Sequence, residues 1–258
     1  MMCGTESHAI KASELHKRVG TLRKDLQRSL NNIYIWASFS KNALDLARAD
    51  EGFLAQKRFR VPSKVKDKEI ERSAGDLRQI AEKAVAQEIY FSVLVYAVAQ
   101  VEAFIGDLLF ELLRFDTRRL KTRIKGIDQT SQIDVNELID CSSREEVIDT
   151  VIRRDLVSLF YAPPSLQMEY LQAVAGVELD SNIVAQWIEI KATRDTIVHN
   201  SGVSNAIYVR KAGALARAKD GDPLPMTDEY FGAALALMKS FVGKITSGIQ
   251  RDLKKIDV

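Results

Sequence analysis

The sequence predicts an all-α protein, a bundle of helices with no sheet. Three observations carry this. The 258 residues include only 5 Pro and 13 Gly, so long uninterrupted helices are permitted. Apolar residues recur at spacings of three and four along most of the chain. No two alternating runs flank a turn signal as a hairpin would require, and Ile207-Tyr208-Val209 is the one β-like piece. There is no internal repeat.

Ser7 to Ala49 reads as one or two long helices. Leu15, Val19, Leu22, Leu26 and Leu30 step along one side, with Gly20 weakening the middle. This stripe suits a packing helix of a bundle or a coiled-coil-like dimerisation arm, although it is short for the latter. Asp50 to Lys68 breaks the pattern with Gly52 and Pro62 and reads as a linker. It carries Lys57, Arg58, Arg60, Lys64, Lys66 and Lys68 around Phe59, a set that reads first as a solvated loop, with contact to RNA phosphates and bases as the alternative. Residues 1–67 therefore form an N-terminal helical arm and basic linker, and 68–258 the main helical domain.

Glu69 to Arg114 is the strongest helical segment. Ala84 to Leu113 is apolar over much of its circumference, as a central buried helix must be. Glu102 interrupts it, and a carboxylate there needs a partner or a cavity. Arg114 to Lys125 is basic and reads as a solvated face, with phosphate contact as the alternative. Gly126 to Ser131 is a loop. Ile133 to Leu138 is a short helix or turn with Asp134 as its N-cap. Ser142 or Ser143 caps a helix running to about Phe160, ended by Pro163-Pro164. Ser165 to Ala175 is helical and closed by Gly176, and Asp180-Ser181 opens the next helix. Lys211 to Pro225 is polar and Gly/Pro-rich, a loop. Thr227 to Glu229 caps a final helix to Leu253 with one apolar stripe, Phe231 to Ile249.

The net charge of +2, from 37 basic and 35 acidic residues, does not fit a general nucleic-acid coat protein. A local basic cleft stays open. Cys3 and Cys141 form no metal-binding pair or disulfide framework. Met1 to Lys11 has no apolar signal core, and the run Ile89 to Ala99 is too short to cross a bilayer. These features predict a cytoplasmic protein that meets no membrane. No phosphate-cradling Gly-rich loop and no His-Glu-x-x-His pattern occurs, and His8, His16 and His199 make no metal set. No metal and no cofactor is expected.

The stretch that carries chemistry is Trp187 to Tyr208. Trp187, Ile190, Ile197 and Val198 can share one buried helical side. Asn200-Ser201-Gly202 reads as a stop, with Asn or Gly taking the left-handed position. His199 then lies in the last turn. Asp195, four residues earlier, meets it on one face and can orient the imidazole. Arg194 is offset by about 100°, but its long side chain can swing toward the helix end. An anion arriving there would meet a guanidinium and a histidine together.

Arg194-Asp195-Thr196-Ile197-Val198-His199, with the following His-Asn-x-Gly-x-x-Asn-x-x-Tyr run from His199 to Tyr208, resembles the HEPN superfamily (higher eukaryotes and prokaryotes nucleotide-binding). The segment Arg153 to Val174 also looks like the approach to the motif in HEPN relatives. The resemblance implies a HEPN-like helical bundle over about Lys68 to Val258, with the N-terminal helices added. It implies a metal-independent endoribonuclease in which the RNA 2′-OH attacks its own phosphate, leaving a 2′,3′-cyclic phosphate. His199 is then the acid/base, Arg194 the phosphate stabiliser, and Asp195 the group that orients His199. Glu102, Lys191, Asn200, Asn205 and Tyr208 are the candidate substrate-binding residues around them. The implied partners are RNA, a second copy of the chain with the active site at the interface, and an antitoxin or regulator, in a toxin or antiviral defence effector. Ser201 stands where a toxin subgroup carries a Tyr modified by its partner enzyme, so that nucleotidyltransferase partner is not carried over. The alternative reading is a non-catalytic HEPN-like RNA-binding or protein-interaction module.

Overall fold

The computed structural model describes residues 2–56, 72–129 and 132–256, and side chains from residue 11 onward. Among the described residues it is all-α, with a single isolated bridge between Val203 and Pro223. The basic linker set from Lys57 to Lys68 lies outside the described residues.

The N-terminal helix α1 is one continuous rod, Met2–Ala49, and Gly20 does not break it. Gly20 sits where an added Cβ would stand 3.1 Å from the Gln250 amide of the last helix. The first residues of the expected linker are helical too, as α2 (Glu51–Gln56). Helix α3 (Ala74–Lys83) starts later than the pattern suggests because Ser73 and Asp76 close a capping box. A π-turn, Ala84–Glu88, passes it into α4 (Ile89–Phe115). The short α5 (Val135–Asp140) has Asp134 as its cap. Helix α6 (Arg144–Tyr161) is capped by Ser143, and α7 (Pro164–Ala175) closes on Gly176 in the left-handed conformation. Helix α8 (Ser181–Asn200) opens on Asp180. The β-like triplet after it is in fact helical, α9 (Ala206–Ala212), because Asn205 accepts from the Tyr208 amide and starts a helix there. Helix α10 (Asp228–Lys254) is capped by Thr227.

Four of these helices make the core. Helix α1 runs antiparallel to α4, joined by Arg18–Glu111 at one end and Ser29–Gln100 further along. It is also antiparallel to α10, through Arg23–Ser247, Lys239–Asn31 and Lys41–Asp228. Helix α8 is antiparallel to α4 and to α10, where Trp187 stacks on Phe241 at 5.5 Å. Helices α1 and α8 thus stand at diagonal corners, with α4 and α10 between them. Helices α6 and α7 cover the C-terminal half of α4, with Phe160 against Gly106 and Arg153 over the Phe110 ring.

One apolar cluster unites all of this. Ala12, Leu15, Val19, Leu26, Leu30, Ile33 and Ala37 of α1 are buried in the same core as Leu94, Trp187 and Phe241. The N-terminal helix is therefore part of the main domain, not an arm attached to it. The stripe read as a dimerisation candidate is spent within the chain. Ala74–Phe115 is long and apolar enough to cross a membrane, by length and composition, and half of its most apolar window is buried inside the bundle. That departs from the sequence reading, which judged only the shorter run from Ile89.

Three cations of the basic stretch after α4 have partners within the chain. Arg118 grips Asp116 at 2.8 Å, Arg114 faces Asp149, and Arg119 donates to the Val174 carbonyl. Among these cations, the contacts are structural ones.

Candidate functional site

The end of α8 is built by four residues past the helix. Ser201 takes the left-handed conformation, at φ 52°, where Asn200 or Gly202 was expected, and Gly202 follows at φ 78°. The N–H groups of Ser201 and Gly202 both donate to the Thr196 carbonyl. The Asn200 side chain donates to the Val203 carbonyl and so pins the turn. A Cβ on Gly202 would stand 2.5 Å from the Phe91 ring, so glycine is required by space as well as by φ. The turn is then held against residues 221–224, with Ser204 N–H donating to Asp222 and Leu224 N–H to Gly202.

Within this frame the candidate residues separate into two groups. Glu102 faces the motif helix, which supplies the partners a carboxylate in an apolar helix needs. It pairs with Lys191 at 2.7 Å and approaches Arg194 at 3.8 Å. Lys191 is buried and also donates to Gln167 at 2.6 Å, which fastens α8 to α7. Asn205 is the N-cap of α9, and Tyr208 is buried with its hydroxyl on Glu189. Lys191 and Tyr208 are therefore buried scaffold residues, and Asn205, partly exposed, is occupied as a helix cap. Their helix caps and burial explain their types without any ligand.

Asp195 departs from its expected partner. Its two oxygens accept from Arg194, at 3.1 Å, and from Lys211, at 2.9 Å, and none of its contacts is to His199. The i,i+4 spacing puts the pair on one face, but the two cations Arg194 and Lys211 already occupy the carboxylate. His199 is exposed and makes no hydrogen bond or ion pair among the described residues. Around it, Val198, Val203 and Ile207 are 50%, 37% and 52% exposed. Val198 was expected inside. It lies on the Trp187 side of the helix but beyond the end of the covering core. Arg194 and His199 are five residues apart, hence offset by roughly 140° around the helix. Arg194 is turned toward Glu102 and Asp195.

Beneath the site lies a polar network the sequence did not announce. Buried Glu189 accepts from the Thr193, Tyr208 and Tyr230 hydroxyls and from the Arg217 guanidinium, all within 3.0 Å. Arg217 also stacks over the Tyr230 ring, 3.4 Å from its centroid, and donates to Thr193 and the Pro225 carbonyl. Burial pushes the phenols of Tyr208 and Tyr230 up, with Glu189 adding to it. This hub fixes α9 and the 213–227 loop to α8, and so sets Lys211 on Asp195. Lys211 is a site residue the sequence reading missed, and its only signal was the basic end of a helix mistaken for a loop.

The assembled site presents two partly exposed cations, Arg194 and Lys211, against two carboxylates, Glu102 and Asp195, with buried Lys191 holding Glu102 from beneath and His199 at the rim. Among the described residues no cluster of His, Cys, Asp and Glu could hold a metal ion. No family model matches the chain, and no curated protein or solved structure matches it.

Proposed function

We propose that the chain is a metal-independent endoribonuclease of the HEPN type, acting on RNA through His199 and Arg194 in a pair of chains. The observation that carries this reading is the state of His199. Arg194, Asp195, Asn200, Asn205 and Tyr208 each have a structural partner that accounts for them. His199 is the titratable group left exposed and unbonded at the helix end, where it can transfer a proton.

RNA brings its own nucleophile. The protein must take a proton from the 2′-OH, give one to the leaving 5′ oxygen, and steady the charge on the phosphorane. A histidine does the first two, and Arg194, 28% exposed and held by Glu102 and Asp195, does the third. The 140° offset between them favours a shared cleft: His199 of one chain and Arg194 of its partner can flank one phosphate. The half-exposed Val198, Val203 and Ile207 supply the apolar rim that two like-charged clusters need in order to meet.

A second reading rests on a specific observation. Arg194 is already ion-paired twice, which is what a non-catalytic RNA-binding or protein-interaction module would do with it. Incubating the protein with a structured RNA in EDTA separates the two. The nuclease leaves 2′,3′-cyclic phosphate ends, and His199→Ala abolishes them at unchanged solubility. Activity that appears only with divalent ions, or binding with no cleavage at all, refutes the proposal. As a toxin or defence effector the protein would also slow growth on expression, and His199→Ala would relieve it.

A further inference from the structure

The outward face of α1 carries a second apolar stripe. Ile35, Phe39 and Leu46 are 63%, 73% and 75% exposed, and Trp36 and Tyr34 are about half exposed beside them. The inward stripe of the same helix is already buried against α4 and α10. Exposed residues 32, 35, 39, 42, 46 and 49 follow one another at alternating spacings of three and four, the seam of a two-helix coiled coil. Large aromatics of this kind carry 150–250 Å² each, so the stripe leaves roughly 500 Å² of apolar surface open. That is at the upper end for a monomer, and doubled it approaches the roughly 1,000 Å² that a specific interface needs.

The stripe is self-complementary when read backwards. Laid antiparallel on itself with residues i and 74 − i opposed, Ile35 meets Phe39 twice at the centre. Asn32 then faces Asn42, Arg28 faces Leu46, and Asp45 lies one residue from that pair. The two central layers are apolar on apolar, the asparagine amides face one another, and at each end the Arg28 stem lies over Leu46 with its cation near Asp45, which Arg48 of its own chain also holds. A polar amide within such a seam fixes register. A two-fold contact requires this self-matching, because each patch must fit its own copy.

We infer that the outer face of α1 is an antiparallel two-fold contact with a second copy of this chain. It is separate from the proposed nuclease interface, since α1 and α8 stand at diagonal corners of the core. Each chain thus carries two distinct contact faces, and the α1 contact stands or falls independently of any RNA cleavage.

Light scattering of the full chain after size exclusion tests it. Phe39→Glu and Ile35→Glu change exposed positions, and each should lower the solution mass by a factor of two with helical content unchanged. Trp187 is fully buried while Trp36 is exposed, so the emission change on dissociation reports Trp36 and should shift to the red. Register is read by cysteines in a chain with Cys3 and Cys141 replaced by Ser. Mixed Ile35→Cys and Phe39→Cys chains should cross-link to each other, and neither should cross-link to itself. Unchanged mass in both Glu variants overturns the inference, as does self-linking of Ile35→Cys, which means parallel packing. Unchanged mass with weakened binding of a single-stranded oligouridylate would make the face an RNA platform, which equally overturns it.

Discussion

Replacing Glu189 by Ala removes the acceptor on which four side chains converge. The Arg217 guanidinium, 19% exposed, would lose its charge partner, and Thr193, Tyr208 and Tyr230 would lose an acceptor each. Breaking a buried ion pair from one side costs about 3–5 kcal/mol. Arg217 keeps Thr193, Pro225 and the Tyr230 ring, so the lower figure applies, about 3 kcal/mol. For a chain of this size that corresponds to a fall in Tm of about 6–12 °C. Calorimetry measures it, and hydrogen exchange of the α9 amides localises it. Replacing both partners, Glu189→Leu with Arg217→Met, should recover most of the loss, because an apolar pair of similar volume carries no unpaired charge. A fall of less than about 3 °C for Glu189→Ala, or a double variant worse than the single one, would refute the view that this hub holds α9 and Lys211 in place.

Two other perturbations follow from buried groups and tight turns. Asp155 is 2% exposed and neither carboxyl oxygen has a hydrogen-bond partner; burial pushes its pKa up, while Arg123 and Arg154 pull the other way. A raised folded pKa means stability is fully present below the unfolded value, about 3.9, and is lost as pH rises through the folded value. Asp155→Asn should therefore raise Tm near neutral pH and leave it unchanged in acid; a gain confined to acid would reverse the sign and refute it. Gly202→Ala forces a Cβ onto the Phe91 ring at positive φ, so a loss of at least about 1 kcal/mol is expected by denaturant unfolding. Gly202→Ala with Phe91→Leu should regain part of it, and no loss in the single variant would contradict the turn geometry.

Helix existence was legible wherever caps and stripes coincided. Asp134, Ser143, Gly176, Asp180 and Thr227 each sit at the boundary their chemistry dictates. What was not legible depended on long-range partners. Nothing local in the sequence says that Asp195 would prefer Lys211 to His199, since that choice is made by α9, a helix hidden by its Ile-Tyr-Val start. Glu189 and Arg217 are 28 residues apart and reveal their pairing only when α8 and the 213–227 loop are packed. That Glu102 needs a partner or a cavity is legible from its place in an apolar helix, but Lys191, the partner it takes, reads from sequence as a substrate contact. Burial turned that lysine into scaffold.

The central claim is that two chains share one cleft for RNA, and mixed dimers test it most directly. Wild-type and His199→Ala chains carrying different tags are co-expressed, the mixed species is isolated by both tags, and RNA cleavage is measured in EDTA. A shared cleft, in which each phosphate needs groups from both chains, predicts that the mixed dimer loses most of its activity. Retention of half the wild-type rate would mean that each chain is an independent site, and would contradict it.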